Sequence, residues 1–248
     1  MEILFPRNIS CIFCNMPISQ DNDLSICKNC FKQLKYLGEI CIRCGRFGKG
    51  SSLCTQCASE TYHFDQVYAV LEYNDFMHSS IYGYKYGHKG FLAEYFGEII
   101  KRFIQKNALT YDYITGVPIS KKRNAQRGYN QSYLMGELID KEKFIELFYR
   151  KKETRFLSKL TKVQRMIELK DAFSLNESAI ETLIKERYGS KNEASNEMEN
   201  KNEKGKIKIL IIDDILTTGS TASEMAKLLK NHVADIHISL ITLCNARK

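Results

Sequence analysis

The chain has 248 residues, enough for one full domain plus a small appended module and too few for two full domains. Its 44% hydrophobic and 27% charged content is that of a soluble globular protein, and its apolar runs fall far short of a bilayer span, so no membrane insertion is expected. A net charge of +8, from 37 basic against 29 acidic residues, suits anionic partners such as phosphates or nucleic acid without choosing between them.

Residues 1–10 hold no basic region followed by an apolar stretch, so no export signal is read there and a cytoplasmic location is expected. Eight of the nine cysteines precede residue 58, with Cys244 alone afterwards, which divides the chain chemically near residue 60. Cys11 and Cys14, Cys27 and Cys30, Cys41 and Cys44, and Cys54 and Cys57 all read C-x-x-C, a spacing that turns two thiolates toward one metal. Zinc closes on four thiolates, so eight ligands correspond to two structural zinc ions with no open catalytic position. Consecutive and interleaved pairings both satisfy the spacing. A disulfide framework is the rival reading, and it is disfavoured for a chain read as staying among reduced thiols. Residues 1–60 therefore form a cysteine-rich zinc-binding module, whose folding leans on its metal. Such a module contacts nucleic acid, contacts protein, or covers a flank of its neighbour.

Residues 61–248 form the larger domain. The run FDQVYAVLEY at 64–73 reads as a strand and 76–84 as a helix. Phe91, Leu92, Tyr95, Phe96, Ile99, Ile100, Phe103 and Ile104 recur at helical spacing, which predicts an amphipathic helix over 91–106. A strand over 111–117, a basic loop through Gly128, a helix over 131–140 and a strand over 144–149 follow. Residues 189–206 are too polar to bury a core and read as a solvated loop or linker. A strand over 207–212, a helix over 220–231 and a strand over 236–244 close the chain. Alternating strands and helices predict an α/β domain, a mostly parallel sheet with helices on both faces, behind the zinc module.

The chemistry concentrates in residues 209–221, ILIIDDILTTGST. A buried strand delivers Asp213 and Asp214 to its carboxyl end, where ligands of open α/β sheets bind. Thr217, Thr218, Gly219, Ser220 and Thr221 then supply backbone N–H groups, a turn glycine and a helix dipole, which suit a phosphate monoester. The carboxylates repel phosphate and accept hydrogen bonds from hydroxyls, so a ribose 5-phosphate satisfies both halves. A response regulator would need several more βα units after its acidic cluster, and the GxxxxGK[ST] loop of nucleoside triphosphatases is absent.

This stretch resembles the phosphoribosyl pyrophosphate motif of type I phosphoribosyltransferases. Together with the cysteine module, Val117-Pro118 and RGYNQ at 127–131, it resembles the ComF family of competence proteins, whose middle element usually reads RGFNQ. Thr161, Gln164 and Ala172-Phe173 match a further family stretch with shortened spacing. The resemblance implies a type I phosphoribosyltransferase domain that binds 5-phosphoribosyl 1-pyrophosphate (PRPP) with magnesium. It implies Lys85, Lys121, Lys122, Arg123 and Arg127 at the pyrophosphate end. It further implies DNA uptake in natural transformation, single-stranded DNA as a partner, and protein partners from the uptake machinery.

A second basic tract, Arg150, Lys151, Lys152, Arg155, Lys159, Lys162 and Arg165, closes over pyrophosphate, follows a nucleic-acid backbone or is plain solvated surface. Tyr82, Tyr84 and Tyr86 around Lys85 suit either base stacking or core packing. Two functions stay open: a PRPP-binding protein that handles single-stranded DNA, and an active phosphoribosyltransferase with a nitrogen acceptor that the sequence does not identify.

Overall fold

The computed structural model describes residues 9–19, 24–47, 54, 57, 61–154, 160–188 and 205–247. In chain order its elements are α1 (Lys28–Phe31), β1 (Gln66–Glu72), α2 (Asp75–Tyr86), α3 (Leu92–Lys106), β2 (Tyr113–Gly116), α4 (Lys121–Arg127) and α5 (Gln131–Ile139). They continue with β3 (Phe148–Arg150), α6 (Lys162–Leu169), β4 (Phe173–Leu175), α7 (Glu177–Tyr188), β5 (Ile207–Leu216), α8 (Ser220–Lys230) and β6 (Ile236–Asn245).

Four strands form one parallel sheet in the order β1-β6-β5-β2, so the two last strands occupy its centre. The apolar runs of β5 and β6 follow from burial on both faces. Along β5, Ile207, Ile209 and Ile211 pack on one side with Ala222, Met225 and Leu229 of α8. Leu210 and Ile212 pack on the other with Phe96 and Ile100 of α3 and Met135 and Ile139 of α5. The expected α/β architecture is met, zinc-ribbon region included. Among the described residues, no helix is long and apolar enough to cross a membrane.

The amino-terminal module sits along the open edge of β1. Leu37 N–H donates to the Val70 carbonyl at 3.0 Å, Glu72 N–H to Lys35 at 2.8 Å and Val67 N–H to Ile42 at 2.8 Å. An exposed strand edge invites pairing with other chains, and these contacts cover it. The module's buried residues join the core on both sides: Leu24, Ile26 and Leu34 pack with Leu71 and Ile81, and Cys41 and Cys44 with Val67 and Leu216.

Two expectations change. Residues 121–127 are a helix rather than a loop: the Ser120 side chain accepts from Arg123 N–H at one end, and Gly128 turns left-handed at φ 81° at the other. The strand expected over 144–149 is divided. Phe144 makes a single parallel bridge to Ile114 beside β2, after which the chain departs and residues 148–150 pair antiparallel with β4. Of the expected linker, residues 189–204 lie outside the described residues.

Candidate functional site

The cysteines gather into two sets, Cys11, Cys14, Cys27 and Cys30, and Cys41, Cys44, Cys54 and Cys57, the sulfurs of each within 4.8 Å of one another. All are free thiols, and the pairing is consecutive. Zinc–sulfur bonds of about 2.3 Å in a tetrahedron place sulfurs roughly 3.8 Å apart. Cys14 and Cys27 are 3.7 Å apart, and Cys41–Cys57 and Cys44–Cys54 each 3.5 Å. The Cys30 and Cys54 N–H groups also donate to sulfur, which favours thiolate. Both sets fit a structural zinc ion.

The second set is tied to the end of the sheet. Asn245 Nδ2 donates to the Gly45 carbonyl at 2.5 Å, and the buried Arg247 guanidinium donates to the Cys44 carbonyl and, at 2.6 Å, to Tyr62 Oη. Gly45 has φ 78°, and a Cβ there would lie 2.3 Å from Leu216 Cδ2. The left-handed backbone favours glycine here, where the corresponding position after Cys14 holds Asn15 at φ 58°.

Leu216 is the last residue of β5, and Thr217 begins the loop. Gly219, at φ 72°, opens α8 with no side-chain cap of its own, the Ser220 N–H donates to Thr218 Oγ1 at 3.4 Å, and the positive end of the helix dipole faces this loop. A Cβ at Gly219 would press to 3.3 Å from the Phe64 ring, and Phe64 stacks on Tyr62. Thr218 and Ser220 share a hydroxyl hydrogen bond of 2.8 Å. Over this loop lies Arg165 of α6, donating at 3.3 Å to both Thr217 Oγ1 and Thr218 Oγ1.

Asp213 and Asp214 stand at the same end of β5. Asp214 is buried and paired with Lys85 of α2, Nζ to Oδ2, at 2.5 Å. Asp213 accepts from the Asp214 N–H at 2.9 Å and from Ser132 Oγ at 3.4 Å. Gly116 makes the second contact feasible, because a Cβ there would lie 2.8 Å from the Ser132 carbonyl carbon and hold α5 away. Burial pushes the Asp213 carboxyl up to about 7, the neighbouring Asp214 adds to this, and Lys85 opposes it. Burial also disfavours the Lys85 charge, but Asp214 outweighs it and holds the ammonium above its ordinary range. The result is a carboxylate pair, a cation beside it and a hydroxyl-lined helix start, all at the carboxyl end of the central strand β5.

The RGYNQ element has a local account. Gly128 ends α4, and Asn130 caps α5 by accepting from the Ser132 and Tyr133 N–H groups. Arg127 donates to Gln131 Oε1 at 2.8 Å and to Tyr86 Oη at 3.1 Å, with its guanidinium 4.9 Å over the Tyr86 ring. Buried Gln131 keeps its Nε2 donor without a hydrogen-bond partner. Unmatched buried donors are rare.

Residues 1–58 match the double zinc ribbon domain family. Over 255 residues the chain is 25% identical to competence protein ComFC of Bacillus subtilis, covering 96% of this chain and 95% of that protein. It is 25% identical to competence protein F of Haemophilus influenzae, over 90% and 91% of the two chains. It is 24% identical to DNA utilization protein YhgH of Escherichia coli K12, over 92% and 94%. The resemblance to the ComF family holds along nearly the whole chain.

In this ComF-like chain the candidate cations divide. Lys85 and Arg127 converge near the carboxylates, Arg127 close enough for its charge to oppose that of Lys85. Lys121 and Lys122 are exposed on α4, and Arg123 donates to the Thr154 carbonyl at 2.7 Å. Lys121 lines a cavity of about 680 Å³ with Tyr133, Tyr149, Glu137, Glu146 and Arg150. Within it, burial and the neighbouring Glu137 raise the Glu146 carboxyl above its ordinary range.

The second basic tract is not one strip. Arg150 bonds Thr154 and lies 5.1 Å over the Phe173 ring, and Lys152 donates to the Lys170 carbonyl at 2.9 Å. Lys151 is exposed. Arg155 and Lys159 lie outside the described residues, and Lys162 is described only as the first residue of α6. Arg165 belongs to the loop at 217–221. Ser132, which directly follows the RGYNQ element, is the contact of Asp213 that the sequence reading does not single out.

Proposed function

We propose that this chain binds PRPP and acts in DNA uptake by handling single-stranded DNA. The observation that carries the ligand reading is the convergence of Asp213, Asp214, Lys85 and the 217–221 loop at the carboxyl end of β5. The loop and Arg165 suit the 5-phosphate, the carboxylates suit the ribose hydroxyls as acceptors, and Lys85 and Arg127 suit the pyrophosphate. The free Gln131 Nε2 adds a donor for a ligand oxygen. Magnesium would enter with the pyrophosphate as part of the bound species.

The role in DNA uptake draws on the relatives, two named as competence proteins and one as a DNA utilization protein. Titration calorimetry with PRPP and magnesium tests the ligand reading. Micromolar binding that disappears in Asp213→Asn/Asp214→Asn, with zinc content unchanged, is expected, and undiminished affinity in that variant would overturn it.

The 680 Å³ cavity favours a second reading, transfer of the phosphoribosyl group to a nitrogen acceptor. Tyr133 and Tyr149 offer aromatic surface to a planar ring, and Glu137 and Glu146 offer acceptors to its N–H groups. Release of pyrophosphate from PRPP on addition of nucleobases is the corresponding measurement.

A further inference from the structure

One face of α2 serves no core. Its buried side is Met77, Ile81 and Tyr84, packed with Phe96 and Ile100. On the opposite side His78, Tyr82 and Tyr86 recur every four residues, which aligns them along the helix. Tyr73 meets His78 edge-on at 5.8 Å, His78 stacks on Tyr82 at 6.4 Å with ring planes 27° apart, and Tyr82 leans on Tyr86 at 5.0 Å. Tyr82 is 60% exposed and Tyr86 46%. Single exposed aromatics are ordinary, but a contiguous row of rings in water marks a contact surface.

The surroundings of the row select its partner. Arg127 covers the Tyr86 ring at the far end, while Lys85 of the same turn is directed to Asp214 and links the row to that site. The Lys89 side chain crosses Gly83, where a Cβ would lie 3.2 Å from Lys89 Cδ. Against these cations α2 carries one acidic residue, Asp75, in its first turn at the opposite end. Aromatic faces flanked by cations fit a polyanion that carries flat rings. In a duplex those rings are covered by their neighbours and only base edges remain, so the complementary form is an unpaired strand.

We infer that His78, Tyr82 and Tyr86 form a stacking platform for the bases of single-stranded DNA, leading along α2 to the Asp213–Asp214 site. This rests on the DNA-handling reading above and assigns it a surface. Stacking on aromatic rings tolerates any base, because every base has a π-face, so the platform would bind without sequence preference.

The test measures fluorescence anisotropy of a labelled thymidine oligonucleotide of about 15 residues, within the range of known single-strand sites, and of an abasic strand of equal length and charge. The intact chain should prefer the base-bearing strand, and Tyr82→Ala should lose that preference with affinity falling between about 5-fold and 100-fold. Tyr82→Phe, which keeps the ring, should retain it. PRPP affinity should be unchanged in both variants, which also reports that they fold. Equal affinity of the intact chain for the two strands, or an unaltered preference in Tyr82→Ala, would overturn the platform and leave backbone-driven DNA binding standing. Absence of binding to either strand would overturn the platform together with the DNA-handling reading, without touching the ligand reading.

Discussion

Lys85 Nζ lies 2.5 Å from Asp214 Oδ2, joining α2 to the end of β5 across the site. The pair is more than a surface ion bridge, since Asp214 is nearly enclosed and Asp213 adjoins it. Without Lys85, two neighbouring carboxyl groups would share one buried position uncompensated, and the Asp213 carboxyl, already raised, would be pushed up further.

Lys85→Met should therefore act on both stability and ligand choice. Breaking a buried pair by removing one partner costs on the order of 3 kcal/mol, and the partial exposure of Lys85 places this variant at or below that figure. PRPP affinity should fall at least about tenfold, while ribose 5-phosphate, which lacks the pyrophosphate, should be affected much less. Calorimetry with the two ligands side by side checks this. Equal losses for both would assign Lys85 to the ribose end.

Asp213 makes the site sensitive to pH near neutrality. Its carboxyl is raised from the ordinary 3.8 to about 7 in the folded chain, so between those values the native state holds a proton that the unfolded state has released. Stability from this group is therefore highest in acid, falls as pH rises toward about 7 and levels off above it. Asp213→Asn should remove that slope and melt higher than the parent at about pH 8, where the parent buries a charge. Ligand affinity runs the other way, because only the ionised carboxylate accepts from two hydroxyls, so it should climb through about pH 7 in the parent and stay flat in the variant. Thermal unfolding and calorimetry across that range supply both curves.

The parts legible in the sequence were those whose chemistry is local. Asp213 to Thr221 is a strand, a turn and a helix start, and its identity needs no distant partner; the cysteine pairs are equally self-contained. α4 escaped because none of its seven residues is buried, so no apolar period marks it, and only Ser120 and Gly128 at its ends carry a signal. The β3–β4 hairpin joins residues separated by α6, a pairing invisible to a periodic reading. Arg165 is 52 residues from Thr217 and Ser132 is 81 from Asp213, and contacts of that range come from the packing of α6 and α5. Tyr82, Tyr84 and Tyr86 read alike in sequence and part in the fold, Tyr84 into the core and the other two outward.

Arg165 contributes a formal positive charge to a loop that has none of its own, since residues 217–221 contain only hydroxyl side chains and glycine. A charge-assisted hydrogen bond is worth about 1.5–3 kcal/mol. Arg165→Ala should thus weaken ribose 5-phosphate and PRPP alike, by between about tenfold and 100-fold. That pattern differs from Lys85→Met, which separates the two ligands. If Arg165 instead follows a DNA backbone, the variant will reduce the salt dependence of oligonucleotide binding and leave both sugar phosphates as they were.

The two zinc sets should differ in what they support. Gly45, beside Cys44, packs on Leu216, the residue before the 217–221 loop, and Arg247 and Asn245 tie Cys44 and Gly45 to the end of β6. The first set instead packs behind β1 with Leu71 and Ile81, away from that loop. Cys44→Ser should therefore lower the melting temperature and PRPP affinity together, because Leu216 loses its support and the loop moves with it. Cys14→Ser, at an exposed ligand of the first set, should lose one zinc per chain and some stability while PRPP affinity holds. Metal content, thermal unfolding and calorimetry on both variants separate these cases. Since the buried residues of each set share the core of the sheet, chelation of both ions should appear as one cooperative transition of the whole chain at lower temperature, and a separate early transition would show a module that folds alone.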